Sequence, residues 1–129
     1  MVGTIVKLGP KTTEWANGDR VMAIFNLTHL TGQITDAHLP SGLGHPLPGV
    51  LTEYRCFPAS GLVKMPEYLT NEEGSTLPVA AATAWMAMNW LRPIGDSVKG
   101  RGQIVLLQGT GGVSIAGLQM AKASGLTGE

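Results

Sequence analysis

The stretch that decides the fold is residues 103–124, which reads QIVLLQ, then GTGGVS, then IAGLQMAKAS. Its apolar run at 104–107 is cut off by glycine and predicts a strand buried on both faces. Val113, Leu118 and Ala121 follow at helical spacing and predict an amphipathic helix. The sequence therefore predicts a strand, a glycine turn and a helix, which is a phosphate-binding arrangement.

The glycine turn matches the first two glycines of the Gly-x-Gly-x-x-Gly fingerprint. Gly109 allows the tight turn, and Gly111 lets backbone N–H groups approach a pyrophosphate, which the positive end of the helix dipole also attracts. Ser114 stands at the third position, where a glycine serves close packing of helix on strand, and a serine is small enough to replace it. The candidate cofactor-binding residues of the turn are Gly109, Thr110, Gly111, Gly112, Val113 and Ser114. The alternative, a strand-to-helix turn that binds no ligand, stays open.

Two other strand-to-helix motifs fail on their remaining parts. A Walker A loop ends in Gly-Lys-Ser/Thr, whereas this turn is followed by Gly117, Leu118 and Gln119. A nucleophile elbow would use Ser114, but its histidine must come later in the chain, and no histidine follows His45. Triphosphate hydrolysis and serine-hydrolase chemistry are therefore unsupported.

The composition is that of a globular protein rather than a disordered or nucleic-acid-binding one. Hydrophobic residues make up 43% of the 129 residues and charged residues 14%, which is enough apolar surface to bury a core. Nine basic residues balance nine acidic ones, so neither nucleic acid nor an anionic membrane is favoured as a partner. No apolar run is long enough to span a membrane, and no secretory signal is recognisable. Cys56 is the only cysteine, which suits a reducing compartment, and we expect a cytoplasmic protein.

Ligands for a zinc ion are sparse. With one cysteine and scattered histidines, neither a four-cysteine site nor a paired His/Cys site has its usual spacing. A catalytic zinc would have to draw on His29, His38, His45, Asp36 and Glu53. Because histidines in surface loops are mostly solvated, the sequence predicts no metal site.

The first half of the chain reads as short strands joined by Gly/Pro turns, which is typical of a small or partial barrel. The predicted strands cover residues 1–7, 20–25, 50–57 and 62–66. Val21, Ala23 and Phe25 are expected to point inward, and Cys56 to face a neighbouring strand as a small hydrophobe. Residues 26–49 have no strand or helix period and are either functional or an insertion.

From residue 70 the pattern becomes helical. Asn71 is placed as a capping residue ahead of Glu72 and Glu73, which complement the helix dipole. Pro78 is expected to start a longer helix. The predicted inner face of that helix consists of Val79, Ala82, Thr83, Met86 and Trp90, and Trp85 is also expected in the core.

The order of these motifs is more specific than any one of them. Residues 18–21 (GDRV), 49–54 (GVLTEY), 77–85 (LPVAAATAW) and 109–114 (GTGGVS), with Gln119 and Ala121-Lys122 following, resemble the medium-chain dehydrogenase/reductase family. The resemblance is to its alcohol dehydrogenase-like and quinone reductase-like branch.

That resemblance implies an α/β fold in two parts. Residues 1–75 would form a partial GroES-like β-barrel, and residues 76–129 the first strand and helix of a Rossmann dinucleotide-binding domain. It further implies NADP(H), or less favourably NAD(H), as cofactor, with Thr83 near the nicotinamide end. The family transfers hydride between this cofactor and an alkene, quinone, carbonyl or alcohol.

Two departures from the family pattern qualify the expectation. Val79 occupies the place of a zinc-ligand cysteine, and residues 26–49 replace the four-cysteine lobe, so a zinc-independent enzyme fits best. The chain also ends where a second Rossmann strand should begin, so we expect a fragment truncated at both ends and a first strand with bare edges.

No side chain stands out as a catalytic acid or base. Glu53 and Tyr54 are conceivable but are more often structural in such a strand. The alternative left open is an inactive chain that acts only by binding another protein or a second copy, so a homo-oligomer is possible.

Overall fold

The computed structural model describes residues 1–89, 92 and 103–128, except for the side chains of 127 and 128. The chain divides into two compact units, Met1–Pro78 and Val79–Glu129. The predicted domain boundary between residues 75 and 76 stays a prediction.

The first unit contains an antiparallel sheet of three short strands. They are β1 (Val2–Thr4), β2 (Arg20–Ala23) and β3 (Leu62–Lys64), in the order β1-β2-β3. Val21 lies opposite Gly3 on one side and opposite Lys64 on the other. Gly18, with φ of +94°, makes the turn into β2. Three of the predicted strands are thus confirmed in shorter form.

Alternation along β2 buries one face of the sheet. Val21 and Ala23 are 4% and 2% exposed, as expected from the period of two. The prediction that Phe25 also points inward is wrong, because β2 ends at Ala23 and the Phe25 side chain is 43% exposed.

Helix α1 (Asn71–Ser75) packs on the opposite face of the sheet. A Cβ added at Gly74 would lie 2.5 Å from Met65 Sδ and 3.0 Å from Val2 Cγ2. Met65 is itself only 2% exposed, so the missing side chain of Gly74 is what lets the helix approach this closely.

The capping residue of α1 is Thr70, not Asn71 as predicted. The Glu73 amide donates to Thr70 Oγ1 at 3.2 Å, and the Thr70 amide donates to Glu73 Oε2 at 2.9 Å, which completes a capping box. Asn71 instead accepts two bonds from the Arg20 guanidinium, at 2.8 and 3.2 Å, which tie the helix to β2.

The predicted strand at 50–57 is wrong. This segment forms no ladder with any described strand, and its conformation is held locally. The Arg55 guanidinium donates to the carbonyls of Pro48 and Gly49 and stacks on the Phe57 ring at 5.3 Å. Cys56 is exposed rather than packed against a neighbouring strand. A segment with a strand-like pattern forms a strand only where a neighbouring strand can pair with its backbone N–H and C=O groups.

Residues 26–49 form a loop with its own hydrogen bonds. Asn26 and Gly42 form an isolated bridge, and Leu39–Ser41 make a 3-10 turn. The buried Ser41 hydroxyl donates to the His38 carbonyl at 2.7 Å and is bonded by the Thr28 hydroxyl at 2.9 Å. Side chains therefore organise a segment that has no periodic pattern.

The second unit is built on one strand–helix–strand segment. A π-helical turn (Leu77–Ala81) leads into α2 (Ala82–Met88), followed by β4 (Ile104–Val105), α3 (Gly112–Ala123) and β5 (Thr127–Gly128). β4 and β5 pair in parallel, with Ile104 opposite Thr127. The first two residues of a second strand are therefore present at the place where the sequence analysis expects that strand to begin. The expectation of bare edges is wrong for one edge of β4, which pairs with β5 over these residues.

The face predicted for the longer helix is wrong for the described residues. Ala81 and Ala84 are the buried residues, because α2 packs on α3 through small side chains. The residues expected inside but exposed are Val79, Ala82, Thr83, Trp85 and Met86. Trp90 lies outside the described residues.

Strand β4 and helix α3 are also more exposed than predicted. Ile104 and Leu106 are 70% and 78% exposed, so only the face with Val105 and Leu107 is partly covered. On α3, Ala121 is fully buried as expected. Val113 and Leu118 are 42% and 49% exposed, because Gly117 and Ala121 form the contact face. Within the described ranges, no helix is long and apolar enough to cross a bilayer.

Candidate functional site

The glycine turn joins the end of β4 to the start of α3, as predicted. Gly109 has φ of +73°, a conformation that side chains of L-residues disfavour. Gly111 has φ of −71° and ψ of 168°, which any residue adopts, and it is the N-cap of α3. A Cβ added at either glycine would meet nothing within 4 Å. Gly109 is therefore needed for the turn, whereas the backbone does not require glycine at 111.

The N-terminus of α3 lacks a side-chain cap within the described residues. No acidic residue lies in the first turn of the helix. The first amide groups of a helix have no partner within the helix, and they carry the positive end of its dipole. The space where a Gly111 side chain would stand holds no described atom within 4 Å, so it leaves room for an anion beside the start of the helix.

The Ser114 hydroxyl donates to the Gln108 carbonyl at 2.9 Å and so closes the turn across its base. Its place among the cofactor-binding residues stays a prediction. Close packing of α3 is seen further along the helix, at Gly117. A Cβ added there would lie 3.1 Å from Leu107 Cδ2 and 3.8 Å from Ala84 Cβ.

Two glycines on α3 have a packing role that the sequence analysis did not predict, although Gly112 is among its candidate cofactor-binding residues. Gly117 brings the helix onto the end of β4, and a Cβ added at Gly112 would lie 3.3 Å from Ala80 Cβ. The signal available in the sequence was Gly117 and Ala121, two small residues four apart on one helical face.

Thr83 lies on α2 and is exposed. Two alanines close to Thr83 in the sequence pack against α3: Ala80 lies beside Gly112, and Ala84 lies beside Gly117. Thr83 therefore belongs to the helical segment that supports the turn. Its assignment to the nicotinamide end stays a prediction. The contiguous residues 109–114 are the part of the predicted site that the structure brings together in one turn.

Two of the three histidines of the first unit, His29 and His38, make local hydrogen bonds. His38 Nδ1 accepts from the Thr35 amide at 3.0 Å, and His29 Nε2 donates to the Gly32 carbonyl at 3.0 Å. Their rings lie 4.9 Å apart. In the part of the chain that the structure describes, no three His, Cys, Asp or Glu side chains group as a metal site.

Glu53 and Tyr54 line a cavity of about 660 Å³ within the first unit. The cavity is bounded by the β1 segment and by residues 52–57, with Trp15 among its apolar walls. Both side chains are largely exposed, and no hydrogen bond holds either of them toward a reacting group in the described structure. Their catalytic role therefore stays undetermined.

Comparison with known proteins identifies the family. Residues 1–67 match the alcohol dehydrogenase GroES-like domain. A zinc-type alcohol dehydrogenase-like protein of Schizosaccharomyces pombe is 40% identical over 123 residues, which are 95% of this chain and 35% of the relative. A chloroplastic quinone-oxidoreductase homologue of Spinacia oleracea is 30% identical over 95% of this chain and 32% of its own length. The chain belongs to the medium-chain dehydrogenase/reductase family, as the motif order predicted.

Solved structures support the same fold. A Sinorhizobium meliloti protein assigned to the alcohol dehydrogenases is 37% identical, with a TM-score of 0.84 over 99% of this chain and 37% of that one. A mycobacterial protein crystallised with NADPH is 26% identical, with a TM-score of 0.66 over 98% of this chain and 32% of that one. The expected α/β class, a partial GroES-like barrel followed by the start of a Rossmann domain, is confirmed. The chain spans about a third of the length of these relatives.

Proposed function

We propose that the chain is part of a zinc-independent oxidoreductase that transfers hydride between NADP(H) and a small alkene, quinone, carbonyl or alcohol. The observation that carries this proposal is Gly111. Its backbone does not require glycine, and a Cβ there would be free of contacts. Glycine is an acceptable N-cap, only slightly weaker than Asp, and its lack of a side chain would let a pyrophosphate approach the backbone amides closely.

The residues of the turn would hold the pyrophosphate of the cofactor. The amides of residues 109–114 supply donors, and the helix dipole favours the negative charge. Thr83, on the supporting helix, would lie toward the nicotinamide end. When bound, the cofactor supplies or accepts the hydride, and the protein contributes binding and orientation.

Binding of NADPH to the purified chain tests the proposal, with nicotinamide fluorescence as the readout. Gly111→Asp places a carboxylate where the pyrophosphate would lie, and we expect affinity to fall at least about tenfold through charge repulsion. Gly111→Asn is the matched control, since its side chain has nearly the same size but no charge. We expect Gly111→Asn to bind better than Gly111→Asp.

The same variants separate lost binding from lost folding. Both Asp and Asn are good N-cap residues, so amide hydrogen exchange across α3 should be as slow as in the original chain or slower. NADPH binding that Gly111→Asp leaves intact would contradict the proposed site. The absence of binding by a folded chain would contradict the retention of cofactor binding in this chain.

The choice of cofactor and the zinc independence need separate measurements. Competition of NADH against bound NADPH should show the weaker affinity for NADH. Elemental analysis after purification in zinc-containing medium should show well under one zinc per chain, because Val79 stands at the family's cysteine position and one ring nitrogen of each of His29 and His38 is already hydrogen-bonded.

A second candidate is a module without catalytic activity that associates through its exposed strand. It is favoured by Ile104 in β4 and by Leu106 just beyond the end of that strand, which are 70% and 78% exposed. Ile104→Lys with Leu106→Lys should abolish such association without affecting NADPH binding if the two surfaces are separate.

We also propose a cytoplasmic location, on the ground that a lone, exposed Cys56 suits a reducing compartment. Fractionation of cells that produce the protein tests this, and recovery in an organelle or membrane fraction would contradict it.

A further inference from the structure

The turn that leads into β2 contains an asparagine followed by a glycine, Asn17-Gly18. The Asp19 amide donates to the Ala16 carbonyl at 3.2 Å, and the Ala16 amide donates to Asp19 Oδ2 at 2.8 Å. Both residues therefore lie inside one closed turn. Asn17 is exposed, and Gly18 has φ of +94°. This turn has no part in the proposed cofactor site.

An asparagine that precedes a glycine can react with the next backbone nitrogen of its own chain, which makes it a thermolabile residue. After losing its proton, the Gly18 nitrogen attacks Asn17 Cγ. The new N–Cγ bond closes a five-membered imide, the Cγ–Nδ2 bond breaks, and Nδ2 leaves as ammonia. Water then opens the imide at one of its two carbonyls, which gives aspartate or isoaspartate. Gly18 has no side chain to hinder the attack.

The folded chain withholds the nitrogen on which this reaction depends. The Gly18 amide donates to the Ile5 carbonyl at 2.8 Å, and the Ile5 amide donates to the Asp19 carbonyl at 2.9 Å. The first bond keeps the proton on the Gly18 nitrogen, and the two together fix the backbone of the turn. The nitrogen is therefore free to attack only after the chain at Ile5 has separated from the turn by local opening.

We propose that Asn17 is a site of spontaneous deamidation whose reactivity is controlled by the hydrogen bond from Gly18 to Ile5. The bond keeps the site unreactive in the closed structure, and each opening exposes it to reaction. The reacting atoms are neighbours in the chain, so the reaction needs water and no partner or cofactor. The site is therefore independent of the proposed function.

The two products differ in what they do to the turn. Isoaspartate carries the main chain through the former side-chain carbon and so adds one atom to the backbone of the turn. The lengthened turn no longer returns both Gly18 and Asp19 to Ile5, so this product makes the opening permanent. Aspartate keeps the normal backbone and adds one negative charge beside Asp19.

Timed incubation of the complete 129-residue chain at mildly alkaline pH tests the proposal. Trypsin cuts after Lys11 and Arg20, so mass spectrometry of fragment 12–20 measures the exchange of NH2 for OH at Asn17. A zero-time sample corrects for conversion during digestion. We expect deamidation to be at least about tenfold slower in the folded chain than in the guanidinium-unfolded chain.

Two other asparagines are controls within the same chain. Asn26 precedes Leu27, and Asn71 precedes Glu72. Because the following side chain hinders the attacking nitrogen, both should react far more slowly than Asn17 in the unfolded chain. Equal rates at all three would show that the glycine at 18 has no influence.

Hydrogen exchange of the Gly18 amide gives the sharpest comparison. Exchange of this proton requires the same opening, so its protection factor should match the ratio of unfolded to folded deamidation rates within about threefold. Asp19→Ala removes the carboxylate that accepts from the Ala16 amide and should lower both quantities together. Asp36→Ala, at an exposed aspartate of the 26–49 loop, is the matched control and should change neither.

The products provide a second readout. Chains converted to isoaspartate at residue 17 should lose protection of the Gly18 amide, whereas Asn17→Asp, which adds the charge alone, should keep it. Four results would overturn the proposal. They are no conversion at Asn17 in the unfolded chain, equal rates in the folded and unfolded chains, folded-state deamidation faster than the Gly18 exchange allows, and isoaspartate chains that keep full protection.

Discussion

Two helices of this protein begin with the same backbone geometry and opposite chemistry. The N-cap of α1, Thr70, has φ of −72° and ψ of 166°, and the N-cap of α3, Gly111, has φ of −71° and ψ of 168°. Thr70 and Glu73 close the start of α1 with two hydrogen bonds, and acidic residues lie in its first turn. The start of α3 has no side-chain cap and no acid.

The difference lies in the side chains and not in the backbone. α1 satisfies its own amides and dipole with its own side chains, as a structural helix does. Gly111 is already in a capping conformation, so a capping side chain would fit there at no conformational cost. The uncapped start is therefore not a consequence of the turn, and it is compatible with the pyrophosphate site proposed above.

Each of the two helices has one buried glycine at its packing contact. Replacing that glycine should have the largest effect on the free energy of unfolding. Gly74→Val and Gly117→Val should each reduce the free energy of unfolding of their own unit by about 2–3 kcal/mol, because the new side chains overlap Met65 and Leu107 respectively. Urea denaturation with hydrogen exchange by segment measures this. Gln119→Val, on the exposed face of α3, is the control and should cost well under half as much; equal losses would contradict the packing role of Gly117.

Removal of the cap on α1 should have the next largest effect. Thr70→Ala removes the hydroxyl that accepts from the Glu73 amide and should cost about 1 kcal/mol. Faster amide exchange at residues 71–76 measures the loss, and Thr70→Ser should restore most of it. An unchanged exchange rate in Thr70→Ala would mean that packing alone holds this helix.

A cap added to α3 should act in the opposite direction and more weakly. Gly111→Asp should stabilise the second unit by about 0.5 kcal/mol, since Asp is only slightly better than Gly at this position. Thermal denaturation without cofactor measures the gain. A loss of stability instead would show that the glycine is needed by the turn itself, which would remove the main support for a ligand there.

The smallest expected effect is a pH dependence confined to α1. Hydrogen bonds from the backbone and from Thr70, with a contribution from the Arg20 charge, hold the pKa of Glu72 below its ordinary value of 4.5. A carboxyl whose pKa is lower in the folded state stabilises it above the unfolded pKa, and this contribution is lost as the pH falls through the folded pKa. Stability should therefore decline more steeply below about pH 4.5 in the original chain than in Glu72→Gln. If stability fell with pH in parallel for the two chains, a role for Glu72 would be contradicted. Helix α3 has no acidic residue in its first turn, so no such pH dependence is expected from it.

Local patterns predicted the elements whose partners are close in the chain. The segment around Gly109 shows this best, because the turn is made by its own glycines and α3 follows immediately. Strand β2 was also predicted from local sequence, because the turn at Gly18 and the alternation of Val21 and Ala23 were enough to indicate it. Residues 50–57 have an equally clear strand pattern and form no strand, because no described segment accepts their hydrogen bonds.

The sequence by itself determined the family, the glycine turn and the order of the two units, because these depend on motifs and their spacing. The tertiary structure decided which small residues carry the packing, since atoms of Met65 and Leu107 lie 2.5 Å and 3.1 Å from the positions that Cβ atoms would take at Gly74 and Gly117. It also decided that the capping pair is Thr70 with Glu73 and that Gly111 needs no glycine for its backbone. The physical reason is that periodicity records which residues are apolar, whereas close approach and unmet hydrogen bonds exist only between segments already placed together.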